Sequence, residues 1–359
     1  MQLNFSELLE RAVEAARLAP DEVVRLLQAD EKEYIQLAAA ADRVRRQNVG
    51  DAIHLRGLVE FSNICHRQCL YCGLRASNQA LARYRMTLEE ILVCVEQVVA
   101  AGLGTVVLQS GEDSWWTAER LGELIRRIRR QHPDLAITLS IGERPRAEYA
   151  AFREAGADRF LLRFETSNPE LYQTLQPDSS LQERLQCLHW LRELGYEVGS
   201  GFLIGLPGQT LPDLAADLLL LQRLEVDMAG IGPFIPNPQT PLATAAGGSV
   251  GLTLRSLAVL RLLCPQINIP VTTALATMDP RGREKGWQAG ANVVMPNATP
   301  APYMQQYLLY PNKGDSSDAL AHSLRGLLQS IICSGRAVGQ GPGRSPRWEA
   351  RSNAPHTQQ

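Results

Sequence analysis

Phe61-Ser-Asn-Ile-Cys-His-Arg-Gln-Cys-Leu-Tyr-Cys72 is the stretch on which the fold assignment turns. It closes the apolar segment Arg56 to Phe61 and sets Cys65, Cys69 and Cys72 at CxxxCxxC spacing. Thiolates are soft ligands suited to iron-sulfur clusters, and a loop this short can wrap three of them round one face of a 4Fe-4S cube. Three ligands for four irons leave one iron open, which suits an enzyme whose cofactor must coordinate the cluster directly. Two alternatives compete: a structural zinc site completed by a distant fourth cysteine, and a disulfide. His66, flanked by Arg67 and Gln68, reads as solvated rather than ligating.

Outward from this loop, short apolar runs alternate with amphipathic helices. Strands are predicted over 56–61, 104–109, 135–140, 159–163, 197–204, 227–232, 269–274 and 292–295. Helices are predicted between them over 87–101, 117–131, 147–155, 181–194, 211–223, 253–263 and 281–289. Runs without polar alternation, such as Thr105-Val-Val-Leu108, are what a parallel sheet buried on both faces demands. Eight such units over about 250 residues predict an α/β fold, a (β/α)8 TIM-type barrel. In that fold chemistry collects at the C-terminal ends of strands, and the unusual polar residues fall there. Gln109 to Asp113 follow the second strand, Ser140 to Glu143 the third, Arg163 to Glu165 the fourth and Gly205 to Thr210 the fifth. Gly232 to Pro236, Thr272-Thr273 and Met295 to Asn297 end the last three.

The CxxxCxxC loop on such a barrel resembles the radical S-adenosylmethionine (SAM) enzymes, in which the amino and carboxylate groups of SAM bind the open iron. Each strand end then has a use. Gly111 beside Ser110 lets backbone carbonyls approach the methionyl ammonium, which is also a partner for a buried carboxylate such as Glu165. Arg163 and Arg184 suit the methionyl carboxylate or the ribose region, because guanidinium binds carboxylates bidentately. The adenine can lie against the Tyr71 backbone and the apolar edge at Ile231. Arg163 and Glu165 could equally form a local ion pair, and Glu112 and Asp113 could cap the next helix.

A narrower resemblance rests on several motifs together: Cys69-Leu-Tyr-Cys72-Gly-Leu-Arg75, Leu108-Gln-Ser-Gly-Glu-Asp113, Thr138-Leu-Ser-Ile-Gly-Glu143, and Ala155-Gly-Ala-Asp158 with Arg163-x-Glu165-Thr166. Gly205-Leu-Pro-Gly-Gln-Thr210 and Asp227-Met-x-Gly-Ile-Gly-Pro-Phe-Ile-Pro236 complete the set. From about residue 55 to 312 the chain resembles the HydE-type maturases of FeFe-hydrogenase, a family related to biotin synthase and methylornithine synthase. The resemblance implies one 4Fe-4S cluster on Cys65, Cys69 and Cys72, with SAM contacted by Ser140, Glu165 and Arg184. It implies a substrate cavity lined by Thr138, Met228, Thr272, Thr273, Tyr307 and Tyr310. It further implies reductive cleavage of SAM to a 5'-deoxyadenosyl radical, acting on an iron-bound, cysteine-derived species carrying CO and cyanide. A companion maturase would supply that species, and a ferredoxin or flavodoxin the electron. Two departures stand out: Phe164 lies where the family often has His, and only Cys333 lies beyond Cys264, so no second cluster is expected. Cys94, Cys187 and Cys264 fall in predicted helices, where cysteine is usually a small buried apolar residue, which argues against a biotin synthase-like sacrificial cluster. A methylornithine synthase-like enzyme and a non-catalytic iron-sulfur carrier stay open as alternatives.

The chain has 359 residues, 45% hydrophobic, with net charge −2, so neither nucleic acid nor an anionic membrane is an expected partner. Arg126 to Arg130 read as a solvated helix end rather than a nucleic-acid patch. Glu7, Glu10, Arg11 and Glu14 interrupt every early apolar run, and no later run approaches a membrane span, so a reducing cytoplasmic setting is expected. Residues 1–50 read as a helical cap on one end of the barrel, with Ser6 as first N-cap, and 51–335 as the barrel itself. The Gly-, Pro-, Ser- and Arg-rich residues 336–359 read as a disordered tail whose glycines make no dinucleotide site.

Overall fold

Three helices come first: α1 (Phe5–Val13), α2 (Pro20–Leu27) and α3 (Glu31–Val49). The computed structural model describes residues 3–14, 17–313 and 320–353. Asn4, not Ser6, caps α1: its side chain accepts from the Glu7 N–H while Glu7 answers to the Asn4 N–H, a reciprocal box. Pro20 opens α2, where its missing N–H costs nothing.

Two consecutive strands follow, β1 (Ala52–Leu55) and β2 (Gly57–Ser62), and then the alternation expected of a barrel. Its elements are α4 (Leu88–Ala100), β3 (Thr105–Ser110), α5 (Ala118–Gln131), β4 (Ala136–Ser140), α6 (Arg146–Ala155) and β5 (Arg159–Leu161). Next come α7 (Pro169–Leu175), α8 (Leu181–Glu193), β6 (Glu197–Ser200), β7 (Leu203–Ile204), α9 (Leu211–Arg223), β8 (Met228–Ala229) and β9 (Gly232–Pro233). The remainder is α10 (Val250–Leu263), α11 (Thr273–Met278), α12 (Gly282–Gln288), β10 (Val293–Val294), α13 (Ala301–Met304), α14 (Leu320–Cys333), β11 (Ala337–Val338) and α15 (Pro346–Ser352).

Strands β2-β3-β4-β5-β6-β8 form one parallel sheet. Single bridges carry the ring onward, from Met228 to Asn268 and from Pro270 to Val293. The Leu58 N–H to Pro296 O bond (2.9 Å) and the Ala298 N–H to Leu58 O bond (2.7 Å) close it. The seventh predicted strand is thus reduced to bridges, because Thr272 caps a helix beginning at Thr273. Every residue of β2 is buried, as expected for a strand covered on both faces. Helices α2 and α3 pack on α9, α10 and α12, so the N-terminal helices sheathe the barrel's flank instead of covering an end. Their apolar side chains belong to the same continuous core as the barrel.

The segment expected to be a disordered tail closes the barrel's N-terminal end as far as residue 353. Strand β11 pairs with β1, and the following loop runs beneath the ring. Pro342 O accepts from Thr105 Oγ1 (2.9 Å) and Arg159 Nη2 (2.8 Å), while Gly343 O accepts from Arg56 Nη2 and Asn268 Nδ2 (both 3.1 Å). The Ser345 N–H donates to Glu197, and Arg351 grips Asp227 through two bonds. Polar composition here is no sign of disorder: these are partners for charged groups buried inside the barrel, which could not otherwise be left unpaired.

Ending the chain at Arg336 strips at least three buried polar groups of partners, so the melting temperature should fall by roughly 10 °C or more. A chain ending at Asn353, which keeps all of these contacts, should melt well above the shorter one; equal melting of both truncations in calorimetry would refute the role of this segment.

Candidate active site

At the C-terminal ends of the strands lies a cavity of about 350 Å³. The Phe61–Cys72 loop forms one wall and brings Cys65, Tyr71, Cys69 and Cys72 to it. Loop placement depends on the turn after β3. There Gly111 N–H donates to Ser62 O (3.0 Å), His66 N–H donates to Glu112 O (3.2 Å), and Glu112 N–H points at Cys65 Sγ (3.4 Å). A Cβ on Gly111 would overlap the Ile64 carbonyl and stand 2.7 Å from the Cys65 Cβ, so the two loops can meet only over a glycine.

Beneath the cysteines, four buried charges interlock. Arg67 binds Glu112 (2.6 Å) and Glu143, while Arg184 binds Glu143, the Arg163 carbonyl (3.1 Å) and the Gln176 amide oxygen (3.2 Å). The Glu143 N–H donates back to Glu112 (3.1 Å). The network ties the cysteine loop to the ends of β3, β4 and β5 and to α8. Burial and their mutual proximity push the three thiols up, Cys72 to about 12, so the pocket disfavours free thiolates.

On the opposite wall Glu165 holds a left-handed backbone (φ 67°), strained for a residue with a side chain. Its N–H and carbonyl bridge to Gly201 O and Leu203 N, its carboxylate lies 3.4 Å from Arg163, and its Oε2 is buried without a hydrogen-bond partner. The ion pair read from sequence is therefore present at Oε2, and that same oxygen of a cavity-lining carboxylate makes no hydrogen bond. Asp217 in α9 fixes this wall from behind. It accepts from the Ser167 N–H (2.5 Å) and from Gln209 Nε2 (3.1 Å), and the Gln209 carbonyl receives the Gly205 and Leu206 N–H groups. Burial raises the Asp217 carboxyl to about 7.

Ser110, Gly111, Ser140, Arg163, Glu165 and Arg184 all line the cavity, as do Thr272, Thr273, Tyr307 and Tyr310. Three expected residues do not. Thr138 lies two residues below Ser140 on the same strand face, fully buried beneath the floor with its hydroxyl unpartnered. Met228 is also a layer down, its sulfur facing Arg56 Nη1 at 2.8 Å. The Ile231 side chain packs in the core, while Gly230 and Gly232 on either side of it form the wall. Neither Glu112 nor Asp113 caps α5, which Thr117 caps: Glu112 lines the cavity, while Asp113 is buried against Arg85. Sequence reading passed over Arg67, Gln176, Asp217 and the Lys313–Glu60 pair beside Tyr307. For Asp217 a signal existed, an acid inside the apolar run Leu214 to Leu221. Cys94 in α4, Cys187 in α8 and Cys264, which follows the last residue of α10, are buried and do not line the cavity.

Residues 59–221 match the model of the radical SAM superfamily. The chain is 52% identical over 273 residues to the [FeFe] hydrogenase maturase subunit HydE of Thermotoga maritima, covering 76% of this chain and 78% of the relative. The chain belongs to the HydE family of radical SAM proteins. It is also 30% identical to a 3-methylornithine synthase of Methanosarcina acetivorans, over 79% of this chain and 81% of that one. Its fold superposes on the crystal structure of methylornithine synthase (PylB) with a TM-score of 0.81 at 25% identity, covering 96% and 99% of the two chains.

Membership makes a 4Fe-4S cluster and SAM the cofactors of this chain, which is a SAM-dependent enzyme. The site fits both. Three thiols line the same cavity as a carboxylate whose Oε2 accepts no hydrogen bond, as a zwitterion with an ammonium requires. Among the described residues no three His, Cys, Asp or Glu converge as a single metal ion needs. Thiolates facing three different irons need not converge. Also among the described residues, no helix is long and apolar enough to cross a membrane.

Two outcomes follow from these contacts. Gly111→Ala should cut the iron bound after reconstitution by about half or more while circular dichroism stays unchanged, because the added methyl displaces the Ile64–Cys65 backbone. A carboxyl raised from its ordinary value to about 7 contributes stability below pH 4 that is lost as pH climbs through 7. The melting temperature of Asp217→Asn relative to the parent protein should therefore rise by roughly 5 °C between pH 5 and pH 8. A difference that does not vary with pH would show Asp217 ionised throughout.

Proposed function

We propose that Cys65, Cys69 and Cys72 ligate three irons of one 4Fe-4S cluster and that the enzyme acts in maturation of the FeFe-hydrogenase diiron subcluster. The observation that carries the assignment is the meeting of the cysteine wall and the Glu165 wall across one cavity. When bound and reduced, the cluster supplies one electron to SAM, giving methionine and a 5'-deoxyadenosyl radical. This chain's residues bind, orient and enclose. The carbonyls around Ser110 and Gly111, together with Glu165 Oε2, take the methionyl ammonium. Arg163, held by the Phe202 carbonyl, takes the carboxylate or ribose with Ser140. Arg184 has all its charge committed to the buried network and so acts by fixing the Arg163 carbonyl and Glu143 rather than by gripping SAM directly. Tyr71 and the backbone at Gly230 and Gly232 flank the adenine.

Deeper in the barrel, Thr272, Thr273, Tyr307 and Tyr310 supply hydroxyls, and Lys313 a cation, around space for a small polar anion. Tyr307 and Tyr310 stay protonated, since burial and the nearby Glu60 push both phenols well up, so they serve as hydrogen-bond donors. Such a lining suits an iron-bound amino-acid species delivered by a companion maturase better than a lipophilic chain. The electron comes from a reduced ferredoxin or flavodoxin. Structural likeness to methylornithine synthase supports a second reading, a carbon-skeleton rearrangement of an amino acid in the same cavity.

Anaerobic reconstitution should give a protein that releases 5'-deoxyadenosine from SAM under dithionite. Cys69→Ala should lose more than about 90% of that product together with the cluster absorbance. Deleting the gene in a host with FeFe-hydrogenase should abolish hydrogenase activity. Intact hydrogenase with lost pyrrolysine synthesis would favour the second reading, and a loaded protein that releases no 5'-deoxyadenosine would leave only a cluster carrier.

A further inference from the structure

In a chain of net charge −2, the 28 residues from Phe61 to Leu88 contain Arg67, Arg75, Arg83, Arg85 and His66 and not one carboxylate. This is the stretch that carries the cluster ligands. Facing it across the rim is the loop after β3, whose acids turn inward. Glu112 is held by Arg67 and Asp113 by Arg85, each with its carboxylate almost fully buried. The outer surface of the loop is Trp115, 40% exposed, with the Arg85 guanidinium 4.8 Å from its ring centroid and Arg120 at 4.3 Å. Among the described residues, Arg75, Arg83 and Arg120 have no carboxylate within ion-pair reach. Arg83 spends its guanidinium on the carbonyls of Asn63, Leu74, Arg75 and Asn78, which locks the cationic loop in shape.

An exposed tryptophan between two arginines, on a loop already held rigid, has the composition of a protein-docking anchor rather than of a solvated surface. It sits three residues beyond the Glu112 N–H that touches Cys65 Sγ. The route from this surface to a cluster ligand is therefore a few bonds and one hydrogen bond. The cavity's opposite rim, Phe234 to Ser249, has no charged residue at all. The field around the mouth is thus polarised towards the cysteine side, which steers an acidic partner there.

We infer that Arg75, Arg85, Trp115 and Arg120 form the docking surface for an acidic one-electron donor protein. The inference rests on the radical SAM reading given above and adds where the electron enters. With a cluster held by the cysteines, a docked donor would pass one electron towards it from the Cys65 side, with no proton moved and no covalent bond made. A methionyl or nucleoside ligand inside the barrel stays in place, because the surface lies outside the cavity wall.

The test uses reconstituted protein and a flavodoxin as donor. Arg75→Glu, Arg120→Glu and Trp115→Ala should each weaken binding of oxidised flavodoxin, read by titration calorimetry, by about tenfold at low ionic strength. The wild-type affinity should fall steeply between ~20 mM and ~200 mM salt. Flavodoxin-driven release of 5'-deoxyadenosine should drop in step, while the dithionite-driven yield of each variant matches wild type. Unchanged flavodoxin affinity in all three variants, or an affinity insensitive to salt, overturns the docking surface. Loss of the dithionite-driven yield in wild type overturns the enzyme reading instead, so the two failures are told apart.

Discussion

Arg67 and Arg184 grip Glu112 and Glu143 in a buried ring of charge, and the position of the cysteine loop is a consequence of it. Withdrawing charges from water costs several kcal/mol per ion and is recovered only when the geometry and remaining hydrogen bonds are good. Here they are: Gln176, Ser179 and the Arg163 carbonyl take up the remaining donors and acceptors. Such a network adds little net stability, but removing one member costs about 3–5 kcal/mol, because the rest are left charged and buried. Its value is therefore one of position. Four elements far apart in sequence must come together at one distance for any of the charges to be tolerated.

The two ends of the barrel solve opposite problems. At the C-terminal end polar groups are left unsatisfied on purpose: the Glu165 Oε2 that accepts no hydrogen bond and the strained backbone beneath it persist because Asp217 and Gln209 hold the surrounding loops. At the N-terminal end most buried polar groups are answered, with Arg56 Nε, His54 Nδ1 and Arg344 Nη1 the exceptions. Arg159 pairs with Glu197, and the loop at Pro342 and Gly343 supplies carbonyls to Arg56, Arg159 and Asn268. A barrel interior containing guanidiniums needs a plug of acceptors. A loop of Gly, Pro and Ser can present bare backbone carbonyls in close succession, which bulkier residues would hinder.

Burial also sets which groups are free to act. The thiols and phenols around the cavity are all pushed up, so none is charged near neutral pH on its own account. The charges that line the cavity are the Glu165 carboxylate and Arg163, paired with each other at 3.4 Å, with Lys313 committed to Glu60. A zwitterionic cofactor is the complement of such a pair.

The amino-acid sequence by itself determined the barrel, the cysteine triplet and most of the strand-end residues. Each of these is local: a run of β-branched residues, a short cysteine spacing, or a polar residue ending an apolar run reports its place in the fold without knowing its neighbours. The sequence also placed Cys94, Cys187 and Cys264 outside the site by helical context alone. Tertiary structure decided the rest. Thr138 and Met228 fall below the cavity floor because depth along a strand depends on how the neighbouring strands are staggered. Arg184 lines the cavity and also joins an ion network, because Glu143 and Glu112 arrive beside it from two other units. Residues 337–353 fold under the ring because their partners are buried arginines contributed by strands hundreds of residues away. Composition cannot reveal such pairing, since a carbonyl's partner is a property of the whole ring.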